Sequence, residues 1–441
     1  MISSGPYLLV ATAGAIALLL FAILYLRLHA FLALLIASFA LGLATGLPPG
    51  KLLKSVQSGF GEALGFIAVV VALGAMIGRF LEHSGGGRHL AAWMLARFGP
   101  TRVPVALLTS AFLVGLPIFF EVGFIILVPV AWNLARESKR SLLYYGLPIA
   151  VALTVVHAMV PPHPAPAAAA QLFHADLGKT ILLSIAISIP MAVAGMFYGL
   201  WISRRIFVDV PKIATSPETD PAHPPSVSMV LATLLLPIVL IFISTSVNLG
   251  ASNAENLFTF IGHPFTALMI TTLLALVVFG AKRGMTRAQV STLATEALAP
   301  IGSLLAIIGA GGAFKQVIVD CGVGQYAGQL LAQSALSPLL VAYVVAAALR
   351  MAQGSATVAI ITAAGIVAPL VNDIPGQNRE LLVMALCAGG TILSHVNDAG
   401  FWIVNQYLGM TVPQTLRSWT VMKVITSFVG ILIVLALRAI L

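Results

Sequence analysis

Charged side chains are scarce in this sequence. Asp, Glu, Lys and Arg make up 8% of its 441 residues, against roughly a quarter in a soluble domain. That deficit, with 59% hydrophobic residues and a mean hydropathy of +1.03, excludes a water-soluble globular domain and points to a polytopic membrane protein. Cysteine is nearly absent. Cys321 and Cys387 lie far apart in apolar surroundings, which gives no disulfide framework. With no HExxH and no clustered His/Cys spacing, the sequence implies no metal and no cofactor. The triplet Gly85-Gly86-Gly87 is not followed by GK[ST], so it reads as a flexible connection and not a phosphate loop. Acidic residues number 14 against 23 Lys and Arg, a net charge of +9. In a membrane protein that excess reports orientation and lipid headgroups, not nucleic acid.

Apolar runs fill the chain, enough for about ten to twelve crossings of roughly 20 residues. The first, 7–26, is too long for a signal-peptide core and lacks a basic start, so it reads as a retained transmembrane helix. Spans follow at 28–47 and 59–81, with a short amphipathic piece at 88–98. Further clean spans are read at 179–202, 229–249, 260–281, 297–319 and 419–437, with a short interfacial piece at 322–333.

Four other runs are interrupted. The most informative is 381–408, where Ser394-His395-Val396-Asn397-Asp398-Ala399-Gly400-Phe401-Trp402 puts several polar groups and a glycine into an otherwise apolar span. A carboxyl at mid-membrane costs about 2.5–3.5 kcal/mol on insertion scales, so such groups belong to a pathway or a site. Irregular backbone survives there only if protein or a water-filled cavity satisfies it. A continuous helix with a polar face is the alternative, and it leaves the glycine beside Asp398 without a reason. The run 102–136 is too long for one crossing and is punctuated at Gly115-Leu116-Pro117, with Glu121 at its tip. Two half-length helices in a re-entrant hairpin fit it better than one kinked helix. The run 142–175 is broken by Val160-Pro161-Pro162-His163-Pro164-Ala165-Pro166, and 336–370 by Ala352-Gln353-Gly354-Ser355-Ala356-Thr357. The composition changes over 209–228, a proline-rich polar stretch that reads as a cytoplasmic linker.

These elements repeat. Residues 1–208 and 229–441 each read span, span, span, re-entrant hairpin, broken span, span, with an offset near 237. Five full crossings per half is odd, so the halves are expected to be inverted repeats. Links carrying Arg136, Lys139 and Arg140, then Arg204, Arg205 and Lys212, then Lys282, Arg283 and Arg287 fall on one side, cytoplasmic by the positive-inside rule. The link 250–262, with Glu255 and no Lys or Arg, lies opposite, and both termini are periplasmic. Lys51 and Lys54 sit on the wrong side in this scheme.

Inverted repeats with paired broken helices are the architecture of secondary transporters. Half-helix N-termini offer unpaired N–H groups and partial positive charge to a carboxylate. Ser355, Thr357, Ser394 and Asn397 supply donors and acceptors for a polyhydroxylated ligand. Glu121 and Asp398 are the carboxyls within hairpin tips and breaks, and so the candidates for proton coupling; Glu121 is alternatively a hairpin-tip cap. Among four histidines near the breaks, His157, His163, His174 and His395, the pair His163 and His395 lies inside them. Phe119 and Gly123, flanking Glu121, complete the candidate substrate contacts.

The motifs Gly115-Leu116-Pro117 with Phe119-Phe120-Glu121-Val122-Gly123-Phe124, Val160-Pro161-Pro162-His163-Pro164 and Ser394–Trp402 resemble the signatures of the gluconate permease family, within the ion-transporter superfamily. The resemblance runs through nearly the whole chain. It implies an inner-membrane proton symporter for gluconate or a related sugar acid, a homodimer whose transport domains move against a static scaffold. It does not separate gluconate from idonate, fructuronate or glycerate. An uncoupled or sodium-coupled carrier of the same fold stays open. A rival class is an intramembrane serine hydrolase with Ser355 as nucleophile and His395 as base, which leaves the duplication and Asp398 unexplained.

Overall fold

The computed structural model describes residues 5–99, 101–211, 224–246, 253–323, 326, 329–330, 336–372 and 374–440. Every regular element among them is helical. In chain order they are α1 (Gly5–Leu24), α2 (Ala30–Ala44), α3 (Pro49–His83), α4 (Gly86–Phe98), α5 (Val103–Gly115), α6 (Phe120–Ser138), α7 (Leu143–Met159), α8 (Pro164–Leu172), α9 (Leu177–Ser203), α10 (Val227–Ser246) and α11 (Asn253–Gly262). Then come α12 (Pro264–Arg283), α13 (Arg287–Leu298), α14 (Gly302–Asp320), α15 (Pro338–Gln353), α16 (Ala356–Val371), α17 (Arg379–Gly390) and α18 (Ala399–Tyr407). The last is α19 (Val412–Arg438). Among the described residues 7 helices are long and apolar enough to cross a membrane, joined by shorter apolar helices of 10–17 residues. Most of the expected linker 209–228, and parts of the expected segments 250–262 and 322–333, lie outside the described residues.

The interruptions fall where the sequence punctuates. Pro161, Pro162, Pro164 and Pro166 remove donors in succession. α7 therefore stops at Met159, and α8 restarts with Pro164 in its first turn and His163 as N-cap. Gly354, at φ +81, turns the chain between α15 and α16, and the Ser355 hydroxyl caps Val358 N–H at 3.3 Å. Asp398 caps α18 through Gly400 N–H at 3.0 Å. Leu116–Phe119 separates α5 from α6.

Three elements differ from the sequence reading. Gly86 and Gly87, read as part of a flexible connection, are buried in the first turn of α4, and only Gly85, at φ +70, precedes the helix. The third span starts at Pro49, not at residue 59, and runs 35 residues, because proline in a first helical turn opens a helix instead of ending one. The basic link after Arg283 is a helix of its own, α13, opened by a reciprocal Thr286–Gln289 capping box.

α3 and α14 cross at Gly59 and Gly312, where a Cβ on either residue would meet the other's carbonyl oxygen at 2.5 or 2.4 Å. Small residues let membrane helices approach this closely. α5 packs on α7 and α15 on α17, while each short segment crosses over: α8 packs on α16, and α18 on α6. That exchange brings helix N-termini from distant parts of the chain together.

Candidate functional site

A cavity of about 270 Å³ lies where those N-termini meet. Phe120 and Glu121 open α6, Ser355 to Thr357 open α16, and Asp398 to Gly400 open α18, and all of them line it. Thr154 and His157 from α7, Arg350 and Gln353 from α15, and Trp419 and Lys423 from α19 close the remaining walls. First-turn N–H groups have no intrahelical partner, so three helices turn their positive ends toward one space.

The charged groups are buried and unequal. Arg350, 2% exposed, places Nη2 2.5 Å from Asp398 Oδ2 and also donates from Nη1 to the Gly354 carbonyl. The Ser394 hydroxyl donates to the same Asp398 oxygen, and Ser394 in turn accepts from Trp419 Nε1 at 2.7 Å. Thr420 donates to the Ser394 carbonyl at 2.5 Å. One chain of bonds thus ties α19, the approach to α18, α15 and the α15–α16 turn into a single frame. Lys423, 3% exposed, holds its Nζ 5.7 Å from the centre of the Trp419 ring. Among the described residues no carboxylate lies within salt-bridge distance of it. Glu121 lines the cavity with its own backbone N–H facing its carboxyl and no ion-pair partner among them. Gln353 Oε1 and Nε2, His157 Nδ1 and Arg350 Nε are buried without a partner. Buried polar atoms are normally satisfied, so this concentration on one cavity suits a polar ligand.

Of the residues singled out in the sequence, the cavity gathers Glu121, Ser355, Thr357, Asn397 and Asp398. It also gathers His157 from the four histidines, whereas the other expected substrate contacts lie outside the lining. Phe119 points edge-on to His157 and His163, with ring centroids at 5.7 and 6.1 Å, and lines a second cavity beside Arg79, Glu82 and Glu296. Gly123 packs on Leu153, whose Cδ2 would stand 2.8 Å from an added Cβ. His163 is buried and donates to the Gly115 carbonyl at 2.7 Å, so it fastens the α7–α8 break to the end of α5. Ser394 lies beneath Asp398, fully buried, and His395 donates to the Met351 carbonyl at 3.0 Å. Asn397 reaches the Met351 and Ala352 carbonyls at 3.0 and 3.3 Å from the cavity rim.

Sequence reasoning passed over Arg350, Lys423, Thr154, Gln353 and Trp419, and ranked His157 below His163. For the two cations a signal was present: a lone basic residue inside an apolar run is as costly as a lone carboxyl. The hydrolase pair does not assemble, since Ser355 caps α16 and His395 bonds Met351.

Comparison with known proteins gives concordant matches. A model of the GntP family permease matches residues 7–440. A gluconate permease of Pseudomonas aeruginosa is 44% identical over 100% of this chain and 99% of its own length. The Gnt-II system L-idonate transporter of Escherichia coli is 38% identical over 98% and 99%. Among solved structures, the Alcanivorax borkumensis YdaH transporter superposes with a TM-score of 0.61 over 88% of this chain and 90% of that one, at 16% identity. That last likeness is one of fold alone.

Proposed function

The chain belongs to the GntP family of permeases, and from that premise we propose that it carries a gluconate-like sugar-acid anion in symport with protons. It is a multi-pass inner-membrane transporter and not an enzyme. The observation that carries the substrate reading is the convergence of three helix N-termini with Arg350 and Lys423 on one cavity. Oriented dipoles and the buried Lys423 ammonium favour a carboxylate, while Arg350, paired with Asp398, holds the N-termini in place. Thr154, Gln353, Thr357 and Asn397 supply the neutral groups a polyol chain needs.

Two carboxyls line the cavity, and their surroundings divide the roles. Asp398 is bound by Arg350, Ser394 and the Gly400 N–H, so it acts as a fixed counter-charge. Glu121 lines the same space without a cation bound to it among the described residues, only its own backbone N–H, and this supports it as the proton carrier. The proton and the substrate anion then enter together, and the cavity's net charge is the same empty and loaded.

The architecture proposed with this function is a pair of inverted repeats, 1–208 and 229–441, in which α5–α6 and α15–α16 are re-entrant hairpins. Its support is a constant offset. Pro49 and Arg287, Val103 and Pro338, Phe120 and Ala356, Leu143 and Arg379, Pro164 and Ala399, and Leu177 and Val412 open corresponding helices 235–238 residues apart. α8 and α18, the short helices after each break, both have 9 residues.

The test uses purified protein in liposomes. An inward proton gradient is expected to drive gluconate above equilibrium, and a protonophore to collapse the accumulation. Glu121→Gln should cut uphill uptake by at least about tenfold while exchange between equal pools continues, since exchange needs no net proton movement. Accumulation driven by sodium alone, or only equilibration, overturns proton coupling. Glu121→Gln that accumulates normally overturns the assignment of Glu121.

A further inference from the structure

We infer that Lys423 anchors the substrate carboxylate while Gln353 and His157 read its hydroxyls, so that the site selects a polyhydroxy acid with one carboxylate over its dicarboxylic analogue. This rests on the cavity being the sugar-acid site.

The argument is a count of charges and partners around one space. Arg350 is the obvious anion ligand, yet its Nη2 is committed to Asp398 at 2.5 Å and its Nη1 to the Gly354 carbonyl. Its charge is cancelled and its donors hold the α15–α16 turn against the N-terminus of α18. Lys423 enters the same cavity from α19 with no carboxylate in reach among the described residues, only the face of Trp419 at 5.7 Å. With Glu121 carrying the transported proton, Lys423 is the single cation in the lining without a counter-charge. One such cation matches one carboxylate. A second carboxylate would enter a buried space with no free cation to meet it, which is the kind of unpaired charge that rejects a ligand.

The hydroxyl side rests on separate observations. Gln353 has both side-chain polar atoms buried and unpartnered, as has His157 at Nδ1, and both residues line the cavity. An amide offers a donor pair and an acceptor, and His157, whose Nε2 pairs with the Thr357 hydroxyl at 3.4 Å, adds Nδ1, which suits hydroxyls that both give and take hydrogen bonds. A site whose polar groups are left unpaired by a ligand discriminates strongly against it. A fatty acid of the same length therefore fails at Gln353 and His157, and a polyol without a carboxylate fails at Lys423.

Displacement of radiolabelled gluconate from the purified full-length protein tests this, with gluconate, glucarate, hexanoate and sorbitol as competitors. In the unmodified protein each of the last three should displace at least about tenfold more weakly than gluconate. Lys423→Met should bring gluconate down to the level of sorbitol, and Gln353→Leu should weaken gluconate by about tenfold while leaving hexanoate unchanged. Glucarate that displaces as well as gluconate overturns the charge count, and this comparison needs no variant to fold. Lys423→Met that melts like the unmodified protein and binds gluconate as tightly overturns the anchor. Failure of the unmodified protein to bind gluconate or any other aldonate overturns the sugar-acid reading and the assignment together, and so is distinct from loss of the Lys423 effect alone.

Discussion

Arg350 shows why the residue scale was the hardest to read. Its role follows from a contact to Asp398, 48 residues on, and through it to Ser394, together with the nearby Gly354 carbonyl. The sequence displayed the carboxyl and the serine, because they stand together in a break, but Arg350 sits four residues ahead of a turn whose neighbours looked merely polar. Removing one member of a buried ion pair leaves the other uncompensated, at a cost of about 3–5 kcal/mol. Arg350→Met is accordingly expected to lower stability in detergent by that amount. Adding Asp398→Asn should recover part of it without restoring transport, because the charge conflict is gone while the frame is not. Thermal unfolding of the single and double variants checks both. A single variant as stable as the double would mean that Asp398 finds another partner. Ser394 belongs to the same frame, so Ser394→Ala should impair transport although the hydroxyl does not line the cavity; unchanged uptake would remove it from the frame.

At the scale of elements the sequence was far more legible. Each break is written in backbone chemistry: prolines that cannot donate at 161–166, and a glycine at 354 that must adopt φ +81. Both were readable without a partner in view. What was not readable is which wall an N-terminus faces. His163 and Asp398 hold the N-cap positions of corresponding short helices, yet His163 is turned onto the Gly115 carbonyl behind Phe119 while Asp398 caps its helix and lines the cavity. Tertiary packing of α5 decides that, and no local pattern carries it. α13 was legible in principle through Thr286 and Gln289, but a polar helix without an apolar run is easily taken for a link. Gly354 supplies the prediction at this scale. A Cβ there would stand 2.2 Å from the Asn397 carbonyl oxygen, on a backbone that L-residues rarely adopt. Strain of about 1–3 kcal/mol is joined by a clash with backbone that cannot rotate aside. Gly354→Ala should therefore lose transport and melt at lower temperature, whereas Gly50→Ala, which meets open space, should do neither.

At the scale of the molecule, the constant offset between helix starts makes a topology, and the contacts sort its ends into two faces. Asn372 donates to the Leu172 carbonyl at 3.1 Å, Arg379 to that of His174 at 3.3 Å, and Asp176 N–H to Glu380 at 3.0 Å, so the ends of α8, α16 and the starts of α9 and α17 share one face. Tyr198 donates to the Arg417 carbonyl at 2.5 Å, Trp132 to that of Tyr407 at 2.9 Å and Leu142 N–H to that of Val208 at 2.9 Å, which gathers the opposite ends on the other. The second face holds Arg136, Lys139, Arg140, Arg204 and Arg205, and the positive-inside rule makes it the cytoplasmic face of the proposed topology. Lys51 and Lys54 had weighed against that assignment. The length of α3 is compatible with them in the proposed topology: 35 residues at about 1.5 Å each exceed a hydrocarbon core of roughly 30 Å, and both lysines are exposed on its first turns. They can stand clear of the bilayer on the periplasmic side. Alkaline phosphatase fused after Ala175 or at the C-terminus should be active, and fused after Lys139, after Lys282 or within 209–228 it should be silent. Activity from the 209–228 fusion would place the boundary between halves outside the cell membrane, give each half an even number of crossings and end the case for inversion. With it would go the expectation that α5–α6 and α15–α16 enter from opposite faces, the arrangement that lets one cavity open to either side in turn.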